Sequence, residues 1–196
     1  MPKIVDHDQY RKALLDKAFD LFAEQGYAIT MRQIAQGLGV STGTLYHYFP
    51  SKEALFEQLV IELSERDLSR IIEEIKIAND PIARIEAGLS YVEKNKDYLF
   101  KQMMVWIDFS QHQNRAGKTY SANLQQVEAK IMGVLIELLG MDDPELLTFV
   151  SSFVDGLIIG QIYDPPISIE RQSKLLVKML RAYLKAEADP KPGNHA

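Results

Sequence analysis

Residues 14–56 read LLDKAFDLFAEQGYAITMRQIAQGLGVSTGTLYHYFPSKEALF, and this stretch decides the architecture. Leu14, Leu15, Ala18, Leu21 and Phe22 recur at helical spacing, which predicts a first helix from about Asp8 to Gln25, ended by Gly26. Thr30 opens a second helix with Gln33 as its reciprocal capping partner, and Ile34, Ala35 and Leu38 form its inner face. Gly39 supplies a tight turn. Ser41 or Thr42 starts a third helix in which Val40, Leu45 and Phe49 are buried, and Pro50 stops it. Three short helices with a tight turn between the last two form a helix-turn-helix with its supporting helix.

A major groove of ~12 Å admits one helix, provided that helix turns small or polar residues outward. Thr42, Gly43, Thr44 and His47 meet that demand, and Tyr46 and Tyr48 reach for sugar, phosphate or a thymine methyl. Ser51 and Lys52, opening the next helix, can hold a phosphate through backbone N–H groups and an ammonium. Thr30 and Arg32 offer the same at the start of the second helix, and Arg32 is long enough to read a guanine edge. Lys3, Arg11 and Lys12 are candidates for backbone contacts from the N-terminal arm. The alternative is a three-helix packing unit that binds only protein, as an adaptor does.

The stretch carries a composite motif: Phe22-x-x-x-Gly26-Tyr27, Ile34-Ala35 before the turn, Gly39-Val40-Ser41-x-Gly43-Thr44-Leu45-Tyr46, and Tyr48-Phe49-x-x-Lys52. In these positions it resembles the DNA-binding region of the TetR (AcrR-like) family of bacterial transcriptional regulators. The resemblance implies Thr30 and Tyr46 at phosphates, Arg32, Thr42, Thr44 and His47 at or near bases, and Lys52 as a phosphate anchor. Gly43 leaves base reading to its neighbours. It also implies a small-molecule pocket and a two-fold dimer in the remainder of the chain, which agrees in length and helix count but carries no motif.

Outward from this stretch the chain is helical to near its end, and the expected fold is all-α with about nine helices. Ser51 caps a long fourth helix through Leu55, Leu59, Leu63, Leu68, Ile71, Ile72 and Ile75 to about Ala78. Asn79, Asp80 and Pro81 break it and start a fifth helix to about Lys94. A sixth, Tyr98 to Phe109, is rich in large apolar side chains, and Gln111 to Lys118 is read as a polar loop. A seventh runs to Leu139, an eighth from Pro144 to about Tyr163, and a ninth from the Ser168 cap to about Lys185. The tail ADPKPGNHA is read as disordered. The division drawn is a helix-turn-helix domain over 1–55, a helical ligand-binding and dimerisation domain over 56–188, and a tail over 189–196.

Phe100, Met103, Met104, Trp106 and Phe109 can wall a cavity, with Tyr91, Gln102, His112 and Tyr120 as polar handles and Gln161 and Tyr163 reaching from the eighth helix. The same stripe also suits ordinary core. The eighth helix mixes Ser151, Ser152, Gly156 and Gly160 with Leu157, Ile158 and Ile159, so it is apolar on more than one face and suits burial on two sides. With the ninth it is expected to build a four-helix interface across a two-fold axis. Asp155 sits there at the edge, across the interface or toward the pocket, and would need a partner if buried.

A chain of 196 residues with no cysteine has neither disulfides nor thiolate metal sites. The start, MPKIVDHDQY, lacks an apolar signal segment, and Phe153 to Tyr163 is too short for a membrane span, so a cytoplasmic protein without membrane contact is expected. The net charge of -5 argues against nucleic acid: residues 1–60 carry 6 basic and 7 acidic side chains, and the other 136 carry 16 and 20. A compact reader manages with a few placed cations, helix N-termini and two copies. No nucleophile elbow, phosphate loop or His-Glu-x-x-His motif is present, and the four histidines are dispersed, so neither catalysis nor a cofactor is expected. The function expected is a ligand-responsive regulator, a dimeric repressor that a small apolar or amphipathic effector releases from a palindromic double-stranded operator.

Overall fold

The computed structural model describes residues 6–78 and 80–188, so Lys3, Asn79, His195 and the tail from 189 lie outside the described residues. Among the described residues there are nine α-helices and one 3-10 turn, and no strand. In chain order they are α1 (His7–Gln25), α2 (Met31–Leu38), α3 (Thr42–Tyr48), α4 (Lys52–Ile75), α5 (Pro81–Lys94), α6 (Lys96–Arg115), α7 (Ala122–Leu139), α8 (Pro144–Ile159), the 3-10 turn Gly160–Ile162, and α9 (Ile169–Ala188). Packing groups them into two units. One runs to Leu68 and takes in Lys101–Ile131; the other is Ser69–Phe100 with Met132 onward. The helices α4, α6 and α7 therefore each contribute to both units. These are units of packing, a different criterion from the division expected at residue 55.

The first unit is built around short-range signals that close on one another. Asp6 caps α1 by accepting from the N–H groups of Asp8 and Gln9. Thr30 and Gln33 form a complete capping box on α2, and Gly39 ends that helix in the left-handed region at φ 70°, where a side chain would be strained. Ser41 is the cap of α3, accepting from the Thr44 N–H at 2.9 Å. Leu15, Ile34, Leu45, Phe49, Leu55 and Phe56 have almost no exposed surface, while Val40, expected in the core, is half-buried. The outer face of α1 is strapped down by ion pairs: Lys12–Glu62 at 2.9 Å, Asp16–Arg66 at 3.0 Å and Asp20–Lys101 at 2.6 Å.

In the second unit Asp80 caps α5, with Pro81 at its first position. The core comprises Ile75, Ile85, Leu89, Leu138, Leu139, Leu146, Leu147, Val150, Leu176 and Leu180. Two expectations about element length are corrected. The residues from Gln111 are not a loop: α6 continues to Arg115, because Gln111 and Gln113 are competent helix formers and Arg115 reaches back to the side-chain amide oxygen of Gln111 at 3.4 Å. Gly117, at φ 63°, marks the end of that run. In turn α8 stops at Ile159 and tightens into the 3-10 turn, since Ile167 folds back onto Gly160. The apolar run is also longer than the stretch from Phe153 to Tyr163, and over Pro144–Ile162 it meets the length and hydropathy of a membrane span.

Candidate nucleic-acid interface

The sequence places its candidate readers on α2 and α3, and the fold leaves most of them at the surface. Arg32, Thr42, Gly43, Tyr46 and His47 are exposed, with Tyr46 at 52% despite its large ring. An aromatic side chain that much exposed on a seven-residue helix whose Leu45 is wholly buried separates an outer face from an inner one within one turn. Thr30 is exposed, but its hydroxyl donates to the Gln33 amide oxygen at 2.7 Å and accepts from the Gln33 N–H at 3.3 Å. Thr44 is half-buried, with its hydroxyl 2.8 Å from that of Ser41. Both hydroxyls are therefore engaged at helix starts.

Two candidates are held in ways that sequence spacing does not disclose. Tyr48 is half-buried, its hydroxyl 2.9 Å from His7 Nδ1 and its ring 5.5 Å from that of Tyr10, so it ties α3 to the first turns of α1. Lys52 turns its ammonium to the turn between α1 and α2, donating to Tyr27 O at 2.6 Å and Ile29 O at 3.1 Å. An ammonium has three donors, so two of them go to the fold. Burial lowers the Lys52 pKa, and the carboxylates of Glu53 and Asp108 pull it back up. Arg11 and Lys12 likewise face α4, where Arg11 donates to the Gln58 amide oxygen at 3.1 Å and Lys12 pairs with Glu62.

The charge objection loses its force when the acids are located. Between Gln25 and Lys52 there is no aspartate or glutamate. The acids of the first sixty residues flank this segment on α1 and α4, where Asp16, Asp20 and Glu53 each face a cation, Glu53 meeting Lys118 at 3.5 Å. The segment thus presents Arg32 and the N-terminal turns of α2 and α3 with no acid of its own, an arrangement suited to a phosphate backbone. The gap in acidic residues is visible in the sequence, and a count over the whole domain hides it.

The candidate ligand residues fall in both packing units. In the first, Phe109 is buried and stacks on Phe56 at 4.0 Å between ring centres, Trp106 lies 5.8 Å from Phe109, and Tyr120 lies 5.4 Å from Trp106. The Tyr120 hydroxyl donates to Ser110 Oγ at 2.9 Å. His112 Nδ1 lies 2.9 Å from the Asp108 backbone oxygen and its ring 5.5 Å from that of Tyr27. Met103 is half-buried, while Met104 is exposed and lines a cleft of about 320 Å³ with Phe22, Gly26, Val105 and Asp108. In the second unit Tyr91 is buried beside an open cleft of about 510 Å³ whose other walls are mostly charged, and Phe100 is half-buried. Gln161 donates to Leu157 O at 2.9 Å and Ile167 O at 3.1 Å, so its amide nitrogen closes the end of α8. Asp155 is exposed, and partial desolvation still raises its pKa.

Residues 14–59 match the family model of the bacterial regulatory proteins, tetR family. The transcriptional regulator BetI of Rhizobium meliloti is 28% identical over 97% of both chains. Residues 14–59 therefore carry the DNA-binding region of the TetR family of bacterial transcriptional regulators. The regulator UidR of Escherichia coli shares 39% identity over 34% of each chain. In fold, the chain is similar to GusR of Salmonella enterica, at a TM-score of 0.70 and 22% identity, covering 93% of this chain and 99% of that one.

Proposed function

We propose that the protein is a TetR-family regulator, a sequence-specific DNA-binding dimer that represses from a palindromic operator and is released by a small apolar or amphipathic effector. Residues 1–55 read DNA, and residues 56–188 take up the effector and pair the chains. The observation that carries the reading is the acid-free outer face of α2 and α3, with Arg32, Thr42, Tyr46 and His47 exposed above a buried Leu45 and Phe49. Thr42, Thr44 and His47 would then lie in the groove, Arg32 at a base edge, and Thr30 and Tyr46 at phosphates. Acting on DNA, the protein works in the cytoplasm.

Pairing is supported by α8 and α9. Only 33% of the apolar Pro144–Ile162 run is buried within one chain. On α8, Phe149, Ser152 and Gly156 form an exposed strip, and a Cβ added at Gly156 would meet nothing within 4 Å. On α9, Leu175 and Met179 are about half exposed and lie one helical turn apart. An apolar, small-residue face of this kind suits a second helix pair. Two readers about one DNA turn apart, ~34 Å, would match a palindrome. The unbroken α4, which contributes to both packing units, is the element through which an effector in the body would act on the reader.

The test is a binding selection of genomic fragments with purified protein at two salt concentrations, followed by sequencing. Recovery of a palindrome whose retention falls as salt rises is the expected result. No enrichment at low salt overturns DNA reading by the effector-free protein and favours a protein-binding adaptor.

A further inference from the structure

The turn that joins α1 to α2 is fixed from outside by two side chains distant in sequence. The helix α1 ends at Gly26 (φ 75°), and the following residues to Ile29 are not helical, so their backbone groups need partners elsewhere. Asp108, on α6, accepts the Tyr27 N–H on Oδ2 at 2.5 Å. Lys52, on α4, donates to Tyr27 O and Ile29 O, and its ammonium lies 4.2 Å from the centre of the Tyr27 ring. The ring itself is wedged against Phe56 at 5.3 Å and Phe109 at 5.0 Å. A Cβ at Gly26 would stand 3.0 Å from the same carboxylate oxygen, so that position needs glycine for its φ and for the approach of Asp108.

We propose that Asp108 is a positioning residue for DNA reading: through the Tyr27 N–H it sets where α2 begins, and with it the placement of α3. The proposal rests on the DNA-reading role above. The residue after Ile29 is Thr30, the cap of α2, and the exposed Arg32 follows within the first turn. The two helices are eight and seven residues long and share the buried Ile34, Leu38 and Leu45, so they shift as one block when the turn shifts. A carboxylate repels phosphate. Asp108 therefore improves binding only by placing other residues, and its removal should lower selective binding without lowering general attraction to DNA.

Asp108→Ala and Asp108→Asn are titrated beside the wild type against the selected palindrome and a scrambled duplex of equal length, over a series of salt concentrations. Asp108→Ala is expected to lose about tenfold on the palindrome, the loss of one charge-assisted hydrogen bond. Its salt slope stays that of the wild type, since no cation leaves the phosphates, and its binding to the scrambled duplex does not weaken. Asp108→Asn keeps an acceptor for the Tyr27 N–H and is expected to stay close to the wild type. Undiminished palindrome binding by Asp108→Ala overturns the inference, as does an equal loss on both duplexes or a loss by Asp108→Asn as large as that of Asp108→Ala. Amide exchange on the wild-type protein needs no variant: the Tyr27 N–H should exchange slowly, and exchange at the rate of an unstructured amide overturns the inference. A wild type that binds neither duplex overturns the DNA-reading role itself, whereas a selective wild type indifferent to Asp108→Ala overturns only the positioning role.

Discussion

The Tyr27 hydroxyl is buried and has no hydrogen-bond partner among the described residues, while its ring packs against Phe22, Phe56 and Phe109. Burial, then the negative charges of Glu53 and Glu57, push its pKa above the ordinary phenol value. An unpaired buried hydroxyl costs desolvation without return, so Tyr27→Phe should leave stability unchanged or raise it by up to about 1 kcal/mol in urea unfolding. Greater stability in the wild type would mean that the hydroxyl finds a partner in solution. Arg32→Ala tests the reading face: loss of a base contact should cost about 1–3 kcal/mol on the palindrome and reduce discrimination at one position. If Arg32 instead touches a phosphate, affinity falls alike on every sequence and the salt slope drops by about 1. Residues whose roles depend on near neighbours are legible in the sequence alone, as Thr30 with Gln33 shows. Lys52 is not, because its carbonyl acceptors lie more than twenty residues away. Asp108 is further still from reach, since its bond to Tyr27 joins residues 81 apart and only packing brings them together.

Among the elements, α8 has the most to lose at its two ends. Asp143 caps it by accepting from the Glu145 and Leu146 N–H groups and also accepts from the Tyr183 hydroxyl of α9 at 2.9 Å. The Leu146 N–H first, and then the Tyr183 hydroxyl, hold its pKa below the ordinary 3.8. A folded pKa below the unfolded one means that the unfolded chain binds the extra proton, so this stabilisation is whole above the unfolded pKa and fades as pH falls through the folded one. Asp143→Asn keeps a capping oxygen but not the charge, and its melting temperature should fall less than that of the wild type between about pH 5 and pH 3. Parallel acid profiles would remove Asp143 from the account. At the other end, a Cβ on Gly160 would come within 3.0 Å of Ile167 at its Cβ, closer at Cγ1 and 2.5 Å at Cδ1. Gly160→Ala must displace that side chain at its root as well as its tip, with an expected loss of about 1–3 kcal/mol in thermal unfolding. The caps Asp80 and Asp143 and the first-position prolines are readable from sequence, because a helix start is a local signal. The ends of α6 and α8 are not, since a polar helical turn and a polar loop share a composition and only the return of Ile167 onto Gly160 decides the second.

For the whole molecule, the question is what covers the exposed strips of α8 and α9. Leu175 and Met179, at 52% and 51% exposure, sit one turn apart on α9, an amphipathic helix on which Leu176 and Leu180 are buried. In the proposed dimer a two-fold copy would cover this exposed apolar side through the same residues of its own. If pairing is what gives the palindrome its affinity, the two readers act at an effective concentration set by the dimer, worth roughly 10²–10⁴ over a single reader. Leu175→Glu places a like charge on each side of the proposed axis and should yield a monomer in sedimentation equilibrium, with the helical circular dichroism of the wild type. That monomer should bind a half-site duplex as the wild type does and lose at least about a hundredfold on the palindrome. The half-site arm separates pairing from reading, because a variant that damaged the reader would lose affinity on both duplexes. A Leu175→Glu protein that remains dimeric places the interface elsewhere, and a monomer with undiminished palindrome affinity would show that the two-fold pairing contributes nothing to operator recognition.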